Sequence, residues 1–209
     1  MVSWVDIAIL AVVIAGIFRG RKRGMSEELL DVIKWVTILV AAAFVMRPAG
    51  QMLAEASVFS LLSCYIFIYT LIVLGLKFFF GFIRKRIGDK LVSSDFFGSA
   101  EYYLGMVAGA FRYLCVIIVA LGFINARYYS PEEIAEDARV QQNNFGDIRF
   151  PTWASFQDKV FNRSASGAMA RDFVPFCLIP QTAPETKALG KDNVVRARER
   201  TVDRVLDRR

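Results

Sequence analysis

Four long apolar runs, at residues 2–18, 29–46, 58–83 and 104–124, leave few folds open to this chain. A helix rises about 1.5 Å per residue, so roughly 20 apolar residues cross the ~30 Å hydrocarbon layer of a bilayer. Inside that layer every backbone amide must find its partner within the structure. Each run is near that length, and their few charges sit toward one end. The sequence therefore predicts an all-α membrane protein, with a domain of four transmembrane helices over residues 1–125 and a polar, partly helical extramembrane tail over 126–209. Bulk composition agrees, since 55% of the residues are hydrophobic against roughly 45–50% in soluble domains. The first run lacks a basic leader, and no small-residue cleavage site follows it, so it is expected to stay as a span rather than leave as a signal peptide.

Orientation follows from the short connections, because Lys and Arg collect on the cytoplasmic side. The first connection holds Arg19, Arg21, Lys22 and Arg23, and the third holds Arg84, Lys85, Arg86 and Lys90. The second holds Arg47 alone. This places the first and third connections in the cytoplasm and both termini in the periplasm of a bacterial inner membrane. Arg19, Arg21, Lys22, Arg23, Arg84, Lys85 and Arg86 are expected to anchor at the inner leaflet, where each basic residue gains about 1 kcal/mol from anionic lipid. Gly20 and Gly24 are expected to let the chain reverse between the first two spans. The tail is also rich in Arg, but its charge is nearly balanced by acidic residues, and long segments translocate largely regardless of charge.

The net charge of +6 sits in clusters beside apolar runs rather than on one continuous face, which argues against nucleic acid. There is no histidine, the commonest general base and metal ligand. Paired mid-membrane carboxylates and a Gly-rich phosphate loop are missing as well. No catalytic residue, metal site or cofactor is therefore assigned, and the chain is not expected to be an enzyme. Cys64, Cys115 and Cys177 are odd in number and widely spaced, with no disulfide framework implied.

Helices associate in lipid through small residues and a few polar contacts. Gly105 and Gly109 form a small-xxx-small face on the fourth run, and Ala41 to Ala43 thin the second. That face serves either to pack helices or to join two copies. Lys77 and Arg112 lie within runs, where a basic side chain costs about 2.5–3.5 kcal/mol on insertion scales. Two readings stand: each snorkels to the cytoplasmic interface, or each pairs with an acid among Glu27, Glu28, Asp31 and Glu101. A channel or transporter subunit with Lys77 or Arg112 lining a polar path is the alternative function.

The order of these features carries a resemblance. Trp4-Val5-Asp6 opens an apolar helix, Arg19-Gly20 and Arg23-Gly24 follow, Glu28 enters an Ala-rich run, and Leu104-Gly105-x-x-x-Gly109-x-x-Arg112 opens the last span. Together these resemble the colicin V production protein (CvpA-like) family over about residues 4–125, with Trp153-Ala-Ser155-Phe156 as a fainter echo. The chain departs from the family pattern in carrying Glu101 three residues ahead of the Leu-Gly pair, where an Asp directly before it is expected, and in its long charged end. The resemblance implies a four-span inner-membrane protein serving toxin production or export and envelope maintenance. Its expected partners are the lipid bilayer, a second copy, and envelope or export proteins.

In the tail, Ser130-Pro-Glu-Glu133 has the form of a helix start, with a Ser cap and Pro in the first helical position. A helix is expected to about Gln142, broken by Asn143, Asn144 and Gly146. A second helix begins near Thr152, with Trp153, Phe156, Val160 and Phe161 on one face. Residues 173–180 are too short to cross and too rich in proline for a regular helix, and are expected to tuck against the periplasmic side. Residues 193–209 have an amphipathic pattern.

Overall fold

The computed structural model describes residues 3–92, 98–146 and 150–182. Its elements are helices: α1 (Trp4–Ala56), α2 (Leu61–Val92), α3 (Glu101–Asn125), α4 (Pro131–Phe145), α5 (Trp153–Phe161) and α6 (Ala165–Phe173). A 3₁₀ turn, Gly98–Ala100, leads into α3. Among the described residues the one β-bridge is isolated, between Arg127 and Thr182. Three helices, α1, α2 and α3, are long and apolar enough to cross a membrane.

α1 is two helical arms joined at one residue. Ser3 caps its start by accepting from the Val5 amide while Asp6 accepts from the Ser3 amide, so both freed donors are met. The helix runs through Arg19–Arg23 without a loop and breaks at Gly24, whose φ of 77° and ψ of 169° are open to glycine. The chain reverses there. Gly16 and Gly20 lie against Gly109 and Gly105, whereas beyond the break Glu28 and Asp31 reach Arg112 and Ile38 packs with Val119. The first arm, residues 4–23, therefore runs antiparallel to α3, and the second, 25–56, parallel to it. This corrects the expectation that Gly20 also serves the reversal: Gly20 stays helical and packs.

The second arm outruns its apolar stretch because packing holds the extra turns. Pro48 removes one helical hydrogen bond. Yet Met46, Gly50 and Ala54 continue the buried stripe begun by Ile38 and Ala42, and the Tyr65 ring of α2 sits where a side chain at residue 50 would go. Ile38, Ala42, Met46, Tyr65, Tyr69, Val119, Ala126 and Ile179 form one core. α2 contributes one face to it. Its other face, including Phe67, Leu71, Leu74, Phe78, Phe79 and Phe82, is exposed, as suits a surface solvated by hydrocarbon.

The tail folds over the bundle end that carries the start of α1. Ser130, Thr152 and Ser164 cap α4, α5 and α6, and Gly146, at φ 63°, ends α4. α4 runs a turn past its expected stop. The expected face of α5 is split: Val160 and Phe161 are buried with Val5, Leu121 and Leu178, while Trp153 points outward. α6 was not legible in the sequence. After it the chain returns across the bundle, burying Cys177, Leu178 and Ile179. The Asn125 amide donates to the Ile179 carbonyl at 2.9 Å, and the Tyr69 hydroxyl donates to the Cys177 carbonyl at 3.4 Å. The expected amphipathic segment 193–209 lies outside the described residues.

Candidate functional site

A glycine seam sets the geometry of the site. Gly16, Gly20 and Gly24 recur every fourth residue, so they share one face of the first arm, and Gly105 and Gly109 do the same on α3. A Cβ built on Gly105 would stand 2.6 Å from the Gly20 carbonyl oxygen and 2.9 Å from Gly24 Cα. One on Gly109 would stand 2.8 Å from Gly20 Cα. These distances are backbone against backbone, which rotamers cannot relieve. The expected packing face is thus placed inside one copy, against glycines that sequence reading assigned to a turn or did not single out.

Just past the break, the close approach brings charge into the interior. Glu28 is wholly buried, and Asp31 and Arg112 nearly so. The Arg112 guanidinium lies 2.7 Å from Glu28 Oε2 and 3.0 Å from Asp31 Oδ2, and it stacks over the Tyr113 ring. Asp31 is the hub: Lys34 Nζ donates to its Oδ1 at 2.7 Å, while Arg23 and Arg84 each approach Oδ2 at 3.4 Å. Arg23 also stands 3.6 Å from Glu28, and Arg84 stands 3.9 Å from Glu27. The cluster ties together both arms of α1, the end of α2 and α3.

Asp31 and Glu28 differ in how well they are held. Asp31 receives directed hydrogen bonds from several donors. Glu28 has ion-pair distances, but neither oxygen accepts a hydrogen bond of good geometry. Its charge is balanced by position more than by bonding, which makes it the member most dependent on Arg112.

Of the expected inner-leaflet anchors, Arg23 and Arg84 are drawn into the cluster, and Arg19, Arg21, Lys22, Lys85 and Arg86 are exposed around it. Lys77 is exposed on α2 and has no ion pair among the described residues. Glu101 lies against Gly24 rather than Arg112. Gly16 was the missed member of the seam, although Gly16-x-x-x-Gly20-x-x-x-Gly24 was there to be read.

A second polar junction sits at the other end. Asp6 accepts from Ser164 Oγ at 2.8 Å, from the Ser166 amide at 2.9 Å and from Ser166 Oγ at 2.6 Å. Its carboxylate faces the first turn of α6, where freed amides and the helix dipole favour an anion. The early Asp thereby fastens the tail to the bundle.

Paired arginines and carboxylates hold helices, and among the described residues no three His, Cys, Asp or Glu side chains group as a metal site. No curated protein and no solved structure matches the chain. The family model for colicin V production protein matches residues 5–142, a stretch that takes in the seam, the charge cluster and the helices carrying them. This multi-pass membrane protein belongs to the colicin V production protein family.

Proposed function

We propose that the chain crosses the bacterial inner membrane four times, with both termini in the periplasm. There it acts as a non-catalytic component in toxin production or export and in upkeep of the cell envelope, together with a second copy or with envelope and export proteins. The observation that carries this reading is the seam and cluster, which lock a helical hairpin to α3 through backbone contact and paired charge. Such a core suits a scaffold. The family supports the link to toxin production. The reversal at Gly24 supports counting α1 as two crossings, and the basic residues gathered at that end support its placement in the cytoplasm. Asp6 bound to Ser164 and Ser166 supports a tail on the same side as the amino terminus.

Topology is tested by reporter fusions. A periplasm-active reporter should work after Asn125 and a cytoplasm-active one after Ser94; the reverse pattern rejects the orientation. The scaffold role is tested in a deletion strain that makes such a toxin. Gly109→Leu should fail to restore toxin release, and full restoration would count against the seam as the working core.

A second reading, a channel or transporter subunit, draws on the Glu28 carboxylate, which is buried among spans without a well-formed hydrogen bond. It requires water to reach Arg112 or Lys77. Membrane-impermeant thiol reagents on intact cells would label Cys115 or a Lys77→Cys variant if such a path exists, and leave both unmodified if it does not.

A further inference from the structure

We propose that the groove between the first arm of α1 and the start of α3 binds one anionic phospholipid of the inner leaflet. The groove encloses 540 Å³ and is lined by Phe18, Arg21, Lys22, Tyr102, Tyr103 and Met106. It exists because of the seam. Glycines bring the two backbones into contact, so the side chains flanking them splay outward and leave a cleft between two walls.

The order of groups along that cleft matches an amphiphile. Residues 18, 21 and 22 share one face of the first arm, and 102, 103 and 106 share one face of α3. The antiparallel run sets Arg21, Lys22, Tyr102 and Tyr103 at the basic end and Phe18 and Met106 about a turn deeper. A phosphodiester at the first level meets two cations and two phenol hydroxyls, and an acyl chain at the second meets apolar surface. A free phosphate would use only the upper half.

Charge complementarity is specific to these two cations. Neighbouring Arg23 is consumed by Glu28 and Asp31, whereas Arg21 and Lys22 form no ion pair among the described residues and are exposed. Glu101, which opens α3, lies against Gly24. The groove therefore has a positive surplus that an anionic headgroup neutralises and a zwitterionic one does not. This inference rests on the chain being a membrane protein with its basic end at the inner leaflet.

The test uses the full chain in neutral detergent, titrated with phosphatidylglycerol, phosphatidylcholine or inorganic phosphate while the thermal midpoint is read. Phosphatidylglycerol alone should raise the midpoint. Arg21→Gln with Lys22→Gln should shift its half-saturation by roughly thirtyfold, as two headgroup cations imply. Lys85→Gln, an exposed cation outside the groove, should not. As a measurement independent of the double variant's folding, a tryptophan introduced by Tyr103→Trp should be quenched more by brominated phosphatidylglycerol than by brominated phosphatidylcholine. Equal stabilisation by phosphatidylcholine, a full effect from phosphate alone, or an unshifted double variant overturns the site. A chain that stays monodisperse without detergent overturns the membrane reading beneath it, a result separable from the others.

Discussion

Replacing Arg112 with Met removes the one guanidinium within 3 Å of the wholly buried Glu28. What is left to Glu28 is Arg23 at 3.6 Å and no well-formed hydrogen bond. Breaking a buried pair from one side costs about 3–5 kcal/mol, because the remaining charge is stranded. Asp31 suffers less, since Lys34 still donates to it at 2.7 Å. Arg112→Met should therefore raise the unfolding equilibrium constant by between about two and four powers of ten. The double variant Glu28→Met with Arg112→Met has no stranded charge and fills similar volume with apolar atoms, so it should recover to within about 1 kcal/mol of the starting chain. Glu28→Gln alone should cost less than Arg112→Met, because Arg112 keeps Asp31 at 3.0 Å. The assay is reversible unfolding in mixed micelles, followed by tryptophan fluorescence, with the coupling taken from the mutant cycle. Additive losses, or an Arg112→Met cost below about 1 kcal/mol, would show that water already solvates Glu28 and would refute the reasoning.

Four more outcomes follow from the packing of the chain. Gly109→Ala should destabilise by about 1–3 kcal/mol, since its Cβ meets backbone. Gly75→Ala, with nothing within 4 Å, should be neutral or slightly stabilising in the same unfolding assay, by up to about 1 kcal/mol. Asp6→Asn weakens the acceptor for Ser164 and Ser166, so limited proteolysis should cut the tail between α5 and α6 faster while sparing the bundle. Burial pushes the Cys177 thiol above its ordinary range, so its thiolate fraction is lower at any given pH. Maleimide should label it slowly at pH 7 to 8, accelerate only at higher pH, and react normally after denaturation; fast labelling in the native state would contradict the placement of residues 174–182.

The apolar helices were legible because lipid is a simple solvent, whose demand for length and hydrophobicity is written in consecutive residues. Ser130, Thr152 and Gly146 were legible for a similar reason, as caps act within a few residues. Arg23 and Arg84 were not. Beside apolar runs, a basic residue that anchors to lipid and one that turns inward to a carboxylate have the same local sequence. Their fates are decided by Asp31, eight residues away in one case and on another helix in the other. Gly20 was misread for a related cause: beside Arg19 and Arg21 it looks like a turn, and only the partner face of Gly105 and Gly109 makes it a packing residue. α6 escaped because its start depends on Asp6, distant in sequence, as well as on its own Ser164 cap.

The seam and the cluster answer different needs. Glycines at every fourth position let backbones touch, but they present a nearly repeating surface: sliding α3 by one helical turn along the first arm would still set glycine against glycine at part of the seam. Close packing alone therefore leaves the register loosely specified. Such a slide moves Arg112 about 6 Å, which parts it from both Glu28 and Asp31, strands its own buried charge and leaves Glu28 with Arg23 alone at 3.6 Å. The second arm cannot follow, because Gly24 joins it to the first within one residue. Buried charge is costly as a source of stability, but fixing register is a use for which it is well suited. That division of labour explains why a membrane hairpin keeps Glu28, Asp31 and Arg112 in its interior, where apolar residues alone would permit several alignments.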